Sequence, residues 1–254
     1  MREDLVRAAR GEYVQFLDSD DVLRPEKVTR QMAAISAAGA NIDCCVCFGR
    51  LGDLDRGWEA AHRIGELHQD LSTLIQRQCE RTIHVMHTEA PIWRRNFLLG
   101  DAGWREDLSV AEEWEYYIRL LARGPNCAFV GEDLFWVRAH KGEQLSGALA
   151  NPQHAVTFCR AIRVATDVLR SSSFWTPSAQ KGLLLRARTA YAVLLQIRDQ
   201  ALAGEFEGWL LSQAREAGDW RLGGAVYARR CLGTRQLLRF FRMGKAVRTR
   251  MRSA

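Results

Sequence analysis

No apolar run in this chain reaches the roughly eighteen residues that a membrane-crossing helix needs. Its first residues, Met1-Arg-Glu-Asp-Leu, lack the apolar core of a secretion signal. Both absences point to the cytoplasmic side. The seven cysteines (44, 45, 47, 79, 127, 159 and 231) include no repeated two-residue spacing of the kind that pairs into a zinc site, and their odd number argues against a disulfide framework. They are expected as buried, reduced thiols. Acid is missing from residues 221–254, which carry ten Lys or Arg, whereas the first 220 residues hold 26 basic and 30 acidic side chains. The basic character therefore belongs to the tail, and no nucleic-acid motif accompanies it, so no nucleic-acid partner is expected. With 47% hydrophobic and 26% charged residues, the 254-residue chain has the composition of a folded protein, long enough for one substantial domain and a smaller appendage.

Glu12-Tyr-Val-Gln-Phe-Leu17 is an aromatic and aliphatic run that stops at Asp18-Ser-Asp-Asp21, a pattern of strand followed by acidic turn. Pro25 then opens a predicted helix with Val28, Met32 and Ile35 on its buried face and Gly39 as its stop. Ile42–Phe48 is a second expected strand, with cysteines acting as small apolar residues, and Ile83–Trp93 a third. Residues 49–70 show no period. Ser109-Val-Ala-Glu112 has the spacing of a capping box, opening a helix of about 110–123 through Trp114, Ile118 and Leu121. Two short extended pieces, Ala128–Val130 and Leu134–Val137, flank a turn. From about residue 150 helix follows helix, with one face through Phe158, Ile162, Ala165 and Leu169, another through Leu184, Ala187, Tyr191 and Leu194, and two shorter helices near 205–217 and 219–231.

Asp18, Asp20 and Asp21 crowd three carboxylates at the end of a strand, where α/β proteins bind ligands. Such a group suits Mg²⁺ or Mn²⁺ with a diphosphate, and equally suits a solvated turn whose aspartates cap the next helix.

Three blocks decide between these alternatives. Ala9-Arg-Gly-Glu-Tyr-Val-Gln-Phe-Leu-Asp-Ser-Asp-Asp-Val-Leu-Arg-Pro-Glu-Lys27 resembles the central signature of family 2 glycosyltransferases, in which a strand leads into the so-called DXD motif. Thr88-Glu-Ala-Pro-Ile-Trp-Arg-Arg95, Gly103-Trp-Arg-Glu-Asp-Leu108 and Glu112-Glu-Trp-Glu-Tyr-Tyr-Ile-Arg119 are similar to the acceptor half of that family. Trp136-Val-Arg-Ala-His140 is similar to its late Arg-x-His segment. Together they span residues 5–147 in the family's order.

The resemblance implies an α/β fold, a partial GT-A sheet domain over 1–149; it does not reach the helical region over 150–234 or the basic tail over 235–254, which are read from periodicity and charge alone. It implies a donor site of Asp18, Asp20, Asp21 and Arg138, with Asp18 near the ribose and Arg138 on phosphate. Asp20 and His140 would hold Mn²⁺ or Mg²⁺. Glu113 stands where the family usually has Asp and takes the part of catalytic base, while Glu112 and Trp114 are expected at the acceptor pocket, Glu112 also completing the capping box. The activity implied is inverting transfer from a nucleotide sugar, expected to be UDP-linked, to a glycan, lipid-linked or small acceptor in polysaccharide synthesis. The alternative is a non-catalytic remnant acting as a binding or scaffold module. Only seventeen residues precede Asp18, where the family normally has a nucleotide-binding βαβ unit, so the chain as written is expected to bind donor weakly if at all, to self-associate and to show no transferase activity unless that half is supplied. In the tail, Leu237, Phe241, Val247 and Met251 approximate one apolar helical face among cations, a pattern that suits peripheral binding on an anionic membrane and equally suits a frayed, solvated tail.

Overall fold

A computed structural model of the chain describes residues 2–39, 41–80, 85–101, 103–139, 152–194, 200–219, 223–224 and 226. The elements run α1 (Arg2–Ala8), β1 (Tyr13–Gln15), β2 (Val22–Leu23), α2 (Lys27–Ala38), β3 (Cys44–Gly52), β4 (His62–Ile64), α3 (Leu71–Glu80), β5 (Pro91–Arg94), α4 (Arg95–Leu99), α5 (Glu112–Leu121), β6 (Cys127–Arg138), α6 (Pro152–Arg170), α7 (Pro177–Leu194) and α8 (Gln200–Glu216). Five strands form a mixed sheet in the order β1-β5-β3-β6-β2, with β4 on the distal half of β3. Among the described residues only β3 and β6 pair in parallel. β5 runs antiparallel to β1 and β3, and β2 antiparallel to β6. The carboxyl ends of β1, β3 and β6 and the start of β5 therefore lie along one rim.

The first half of β3, Cys44-Cys-Val-Cys47, is wholly buried, as a strand covered on both faces requires. The two extended pieces expected at 128–137 are one strand. Register shifts opposite Cys47, Phe48 and Gly49 absorb the extra residues of β6, a bulge that a search for unbroken alternation takes for a turn. A Cβ on Gly49 would lie 2.3 Å from the Phe135 ring, so only glycine lets the strands close there.

Helix α2 buries Ile35 and half-buries Met32 as expected, but not Val28. Lys27, Gln31 and Ile35 point inward, while Val28 is 49% exposed. The Lys27 ammonium donates to the Gln15 and Gln31 side-chain oxygens. Gln31 donates in turn to the carbonyls of Cys45 (2.6 Å) and Ala90 (3.0 Å), and Gln15 to that of Glu89 (3.2 Å). A buried polar group is tolerated only when bonded, and this network satisfies a cation and two amides at once. Burial still lowers the Lys27 pKa to about 8.

The expected capping box does not form. Helix α5 starts at Glu112 itself, behind Ala111 in a left-handed conformation (φ 59°) without a side-chain cap, and the Ser109 hydroxyl pairs with that of Thr157 (3.2 Å). The acids of its first turn face the positive end of the helix dipole. α6 and α7 each begin with proline, which suits a first helical position, and Thr176 caps α7 through the Ala179 amide (3.1 Å). α7 lies directly on α3: a Cβ on Gly182 would come within 2.9 Å of the Cys79 Cβ. The two helical faces read from the sequence, through Phe158 to Leu169 and Leu184 to Leu194, are buried. No helix among the described residues is long and apolar enough to cross a membrane.

Candidate functional site

The chain leaves β1 at one edge of the sheet, passes over the rim and joins β2 at the other edge, so Asp18–Asp21 lie across the strand ends. The Asp21 amide donates to the Asp18 carbonyl (3.2 Å), closing the turn. Arg138, the last residue of β6, donates its backbone amide to Asp21 Oδ1 (2.9 Å). Opposite them the segment before β5 brings in Glu89, whose Oε1 accepts from the Asp18 amide (3.2 Å). Ligand atoms of Asp18, Asp21 and Glu89 all lie within 4.8 Å of one another. Asp20, on the same turn, is exposed and stands outside this trio, though its charge acts on Asp21.

Glu89 is 1% exposed. Burial, then the negative charges of Asp21 and Glu113, push its pKa up to about 9. Burial likewise raises Asp21, against the opposing hydrogen bonds from Arg138 and Glu89. Carboxyls so placed share protons in the absence of a cation. The donor set is hard oxygen only, the chemistry that Mg²⁺ or Mn²⁺ prefers, so the residues present fit such an ion.

Glu113 stands in the first turn of α5, half-buried and close enough to Glu89 to raise its pKa. One turn on, the buried Tyr117 hydroxyl donates to the Thr88 carbonyl (3.2 Å), fixing α5 against the segment that holds Glu89. Arg119 pairs with the buried Glu115 (2.9 Å) and with Asp101, and donates to the Gly103 carbonyl (2.8 Å). Those bonds hold the loop that sets the half-buried Trp104 between Phe16 and Tyr116. Glu112 is half-buried at the start of the helix. Trp114, expected at the acceptor pocket, is wholly buried. Its indole donates to the Gln78 carbonyl (2.8 Å) and lies 4.3 Å under the Arg186 guanidinium, so the ring packs the core. Arg138 exposes its side chain at the rim. His140 and the 235–252 tail lie outside the described residues.

Glu89 and Lys27 are the residues that sequence reasoning missed. Glu89 carried one signal, an acid two residues before a proline-led apolar strand in the Thr88–Arg95 block. Lys27 carried none, because its place on the buried face depends on the amides of Gln15 and Gln31.

The proton on Glu89 has a measurable consequence. Between its usual 4.5 and about 9 the folded chain keeps a proton that the unfolded chain has released, so stability is full below the lower value and falls as pH rises through this window. The slope from this one group is up to about 1.4 kcal/mol per pH unit. Glu89→Gln keeps the shape without the titration. Urea denaturation in chelator-treated buffer should therefore show a flatter dependence of stability on pH in the variant. Parallel curves for the two proteins would mean that Glu89 ionises as an ordinary carboxylate.

Residues 2–99 match the family Glycosyl transferase family 2. The succinoglycan biosynthesis protein ExoO of Rhizobium meliloti (strain 1021) is 32% identical over 130 residues, which cover 48% of this chain and 36% of that protein. The crystal structure of S. aureus TarS 1–349 in complex with UDP superposes over 96% of this chain and 70% of its own, with a TM-score of 0.59 and 14% identity. A second TarS crystal structure gives 0.65 and 15% identity over 94% of this chain and 42% of its own. Likeness at that identity speaks for the fold, a GT-A-like sheet with a helical region, and the chain spans about a third of the length of ExoO. The strand and acidic turn of residues 12–21 fall inside the segment that is similar to family 2 glycosyltransferases, and they sit on the GT-A-like fold that the resemblance implied.

Proposed function

We propose that the chain serves in metal-dependent, inverting transfer of a sugar from a uridine-diphosphate sugar to a glycan or lipid-linked acceptor, within polysaccharide assembly. One observation carries this reading: a carboxylate trio on the strand rim stands beside a further glutamate at the first turn of a rigidly held helix. Asp18, Asp21 and Glu89 would hold Mn²⁺ or Mg²⁺, with Asp20 adjoining, and the ion when bound neutralises charge on the departing diphosphate. Arg138 at the end of β6 supports the same end of the donor with its cationic side chain. Glu113 accepts the proton of the acceptor hydroxyl, which is a poor nucleophile at neutral pH until that proton is drawn away. In-line attack then inverts the anomeric carbon. The UDP held by TarS and the succinoglycan role named for ExoO support the donor class and the type of product.

Release of UDP from a panel of UDP sugars tests the reading. Release should require Mn²⁺ or Mg²⁺, stop on chelation, and be lost in Asp20→Ala and Asp21→Ala while far-ultraviolet circular dichroism stays unchanged. Metal-independent release would overturn the metal assignment, and no release with any donor would favour the alternative of a non-catalytic binding module.

A further inference from the structure

Two thiols far from the carboxylates share the opposite ends of the central strands. Cys44 opens β3 and Cys127 opens β6, and they are direct partners in the parallel register. Neighbouring strands lie about 4.8 Å apart, inside the separation that a disulfide spans without backbone movement. The strand starts are tied together: the amides of Asp43 (2.8 Å) and Cys44 (3.2 Å) donate to the Asn126 carbonyl, and the Asn126 amide returns to Asp43 Oδ2 (2.9 Å). The two sulfurs are 3.0 Å apart, closer than two unbonded sulfurs normally rest.

Access to the pair is one-sided. Among the described cysteines Cys127 alone is partly exposed, and it lines a cavity of about 540 Å³ with Leu71, Leu74 and Phe129. Cys44 lies behind it with no exposure. Cys45 points to the other face of the sheet, since side chains alternate along a strand. A reachable thiol backed by a second is the arrangement of a redox-sensitive pair.

We infer that Cys127 and Cys44 form a reversible peroxide-sensitive disulfide site, with Cys127 as the attacking sulfur and Cys44 as the resolving one. The Cys127 thiolate attacks one oxygen of hydrogen peroxide, the O–O bond breaks, and the departing hydroxide takes a proton to leave as water, giving a sulfenic acid. The Cys44 sulfur then attacks the Cys127 sulfur, its S–H proton goes with the departing hydroxide, and a second water leaves. Two thiols are oxidised and one peroxide is reduced to two waters. Burial holds the Cys44 thiol well above its usual pKa, consistent with its acting second. Intracellular disulfides of this kind are typically transient and regulatory.

Peptide mapping of the full chain after treatment with excess hydrogen peroxide tests the inference. The expected result is a loss of about 2 Da, the two thiol hydrogens, with one cross-linked peptide joining residues 44 and 127 and reversal by dithiothreitol. Cys45→Ser should form the same bridge. Cys44→Ser should form none and should leave Cys127 trapped by dimedone as a sulfenic acid. Should Cys44→Ser fail to fold, the wild-type map decides alone. Oxidation of Cys127 to sulfinic acid without bridging, a Cys44–Cys45 link, or two thiols unchanged while a control peptide thiol is oxidised would each overturn the assignment.

Discussion

Glu113→Gln should lower sugar transfer by about 10²–10⁴-fold, the usual share of a positioned base, and leave donor affinity near that of the wild type. The substitution keeps the length and shape of the side chain in the first turn of α5, so Tyr117 still fixes the helix to Thr88 and the carboxylate trio keeps its spacing. Only the capacity to accept a proton is lost. Steady-state kinetics with UDP binding followed by calorimetry separates the two terms. An equal fall in donor affinity would assign Glu113 to the donor seat instead. Glu113→Asp adds a gauge of reach. The shorter acid keeps the chemistry but draws the oxygens back by one methylene, and displacement near 1 Å costs on the order of a hundredfold.

Trp114→Ala should be the most destabilising single change near the site, at about 3–5 kcal/mol for a wholly buried tryptophan. Two further losses act in the same direction. The Gln78 carbonyl loses the indole donor, and the Arg186 guanidinium, lowered to about 10 by its burial, loses the aromatic face beneath it. Trp114→Phe keeps most of the ring and removes the N–H, so a smaller loss near that of one hydrogen bond, about 1 kcal/mol, is expected. Urea unfolding at fixed pH measures both. A cost under about 1 kcal/mol for Trp114→Ala would mean that the site collapses around the cavity, and that α6 and α7 do not brace α5 as the packing indicates.

The parts of the fold legible in the sequence are those in which hydrophobicity and burial coincide. Glu12–Leu17, Ile42–Phe48 and the helical faces from Phe158 to Leu194 follow simple periods, and the structure buries them or pairs them as strands. Reading failed where polar atoms occupy the interior. Val28 was assigned to the core of α2 because Lys27 and Gln31 look like surface residues until their partners are known. Ser109 and Glu112 have capping-box spacing, yet Ala111 takes the left-handed turn and Thr157, far along the chain, claims the Ser109 hydroxyl. Residues 49–70 gave no period because they hold the bulged end of β3, two 3-10 turns and a three-residue strand. Helix α3, Leu-Ser-Thr-Leu-Ile-Gln-Arg-Gln-Cys-Glu, escapes the pattern since six of its ten residues are polar and Gln78 is spent inside, accepting from the amides of Val85 and Met86. At the candidate site the acidic turn and Glu113 were readable as motif residues. Glu89 belongs to the same cluster only through the pairing of β5 with β1 and β3, which no local pattern encodes.

The acidic segment leaves one edge strand, β1, and ends in the other, β2, with β5, β3 and β6 between them. It is therefore a strap across a twisted surface, anchored at both margins rather than hung from one side. Adjacent strands of a sheet are rotated relative to one another, so any change of that twist moves the two anchors relative to each other and alters the spacing of the carboxylates between them. Whatever seats itself among those carboxylates consequently resists the flexing of the whole sheet, and a stiffer sheet holds the seat open in return.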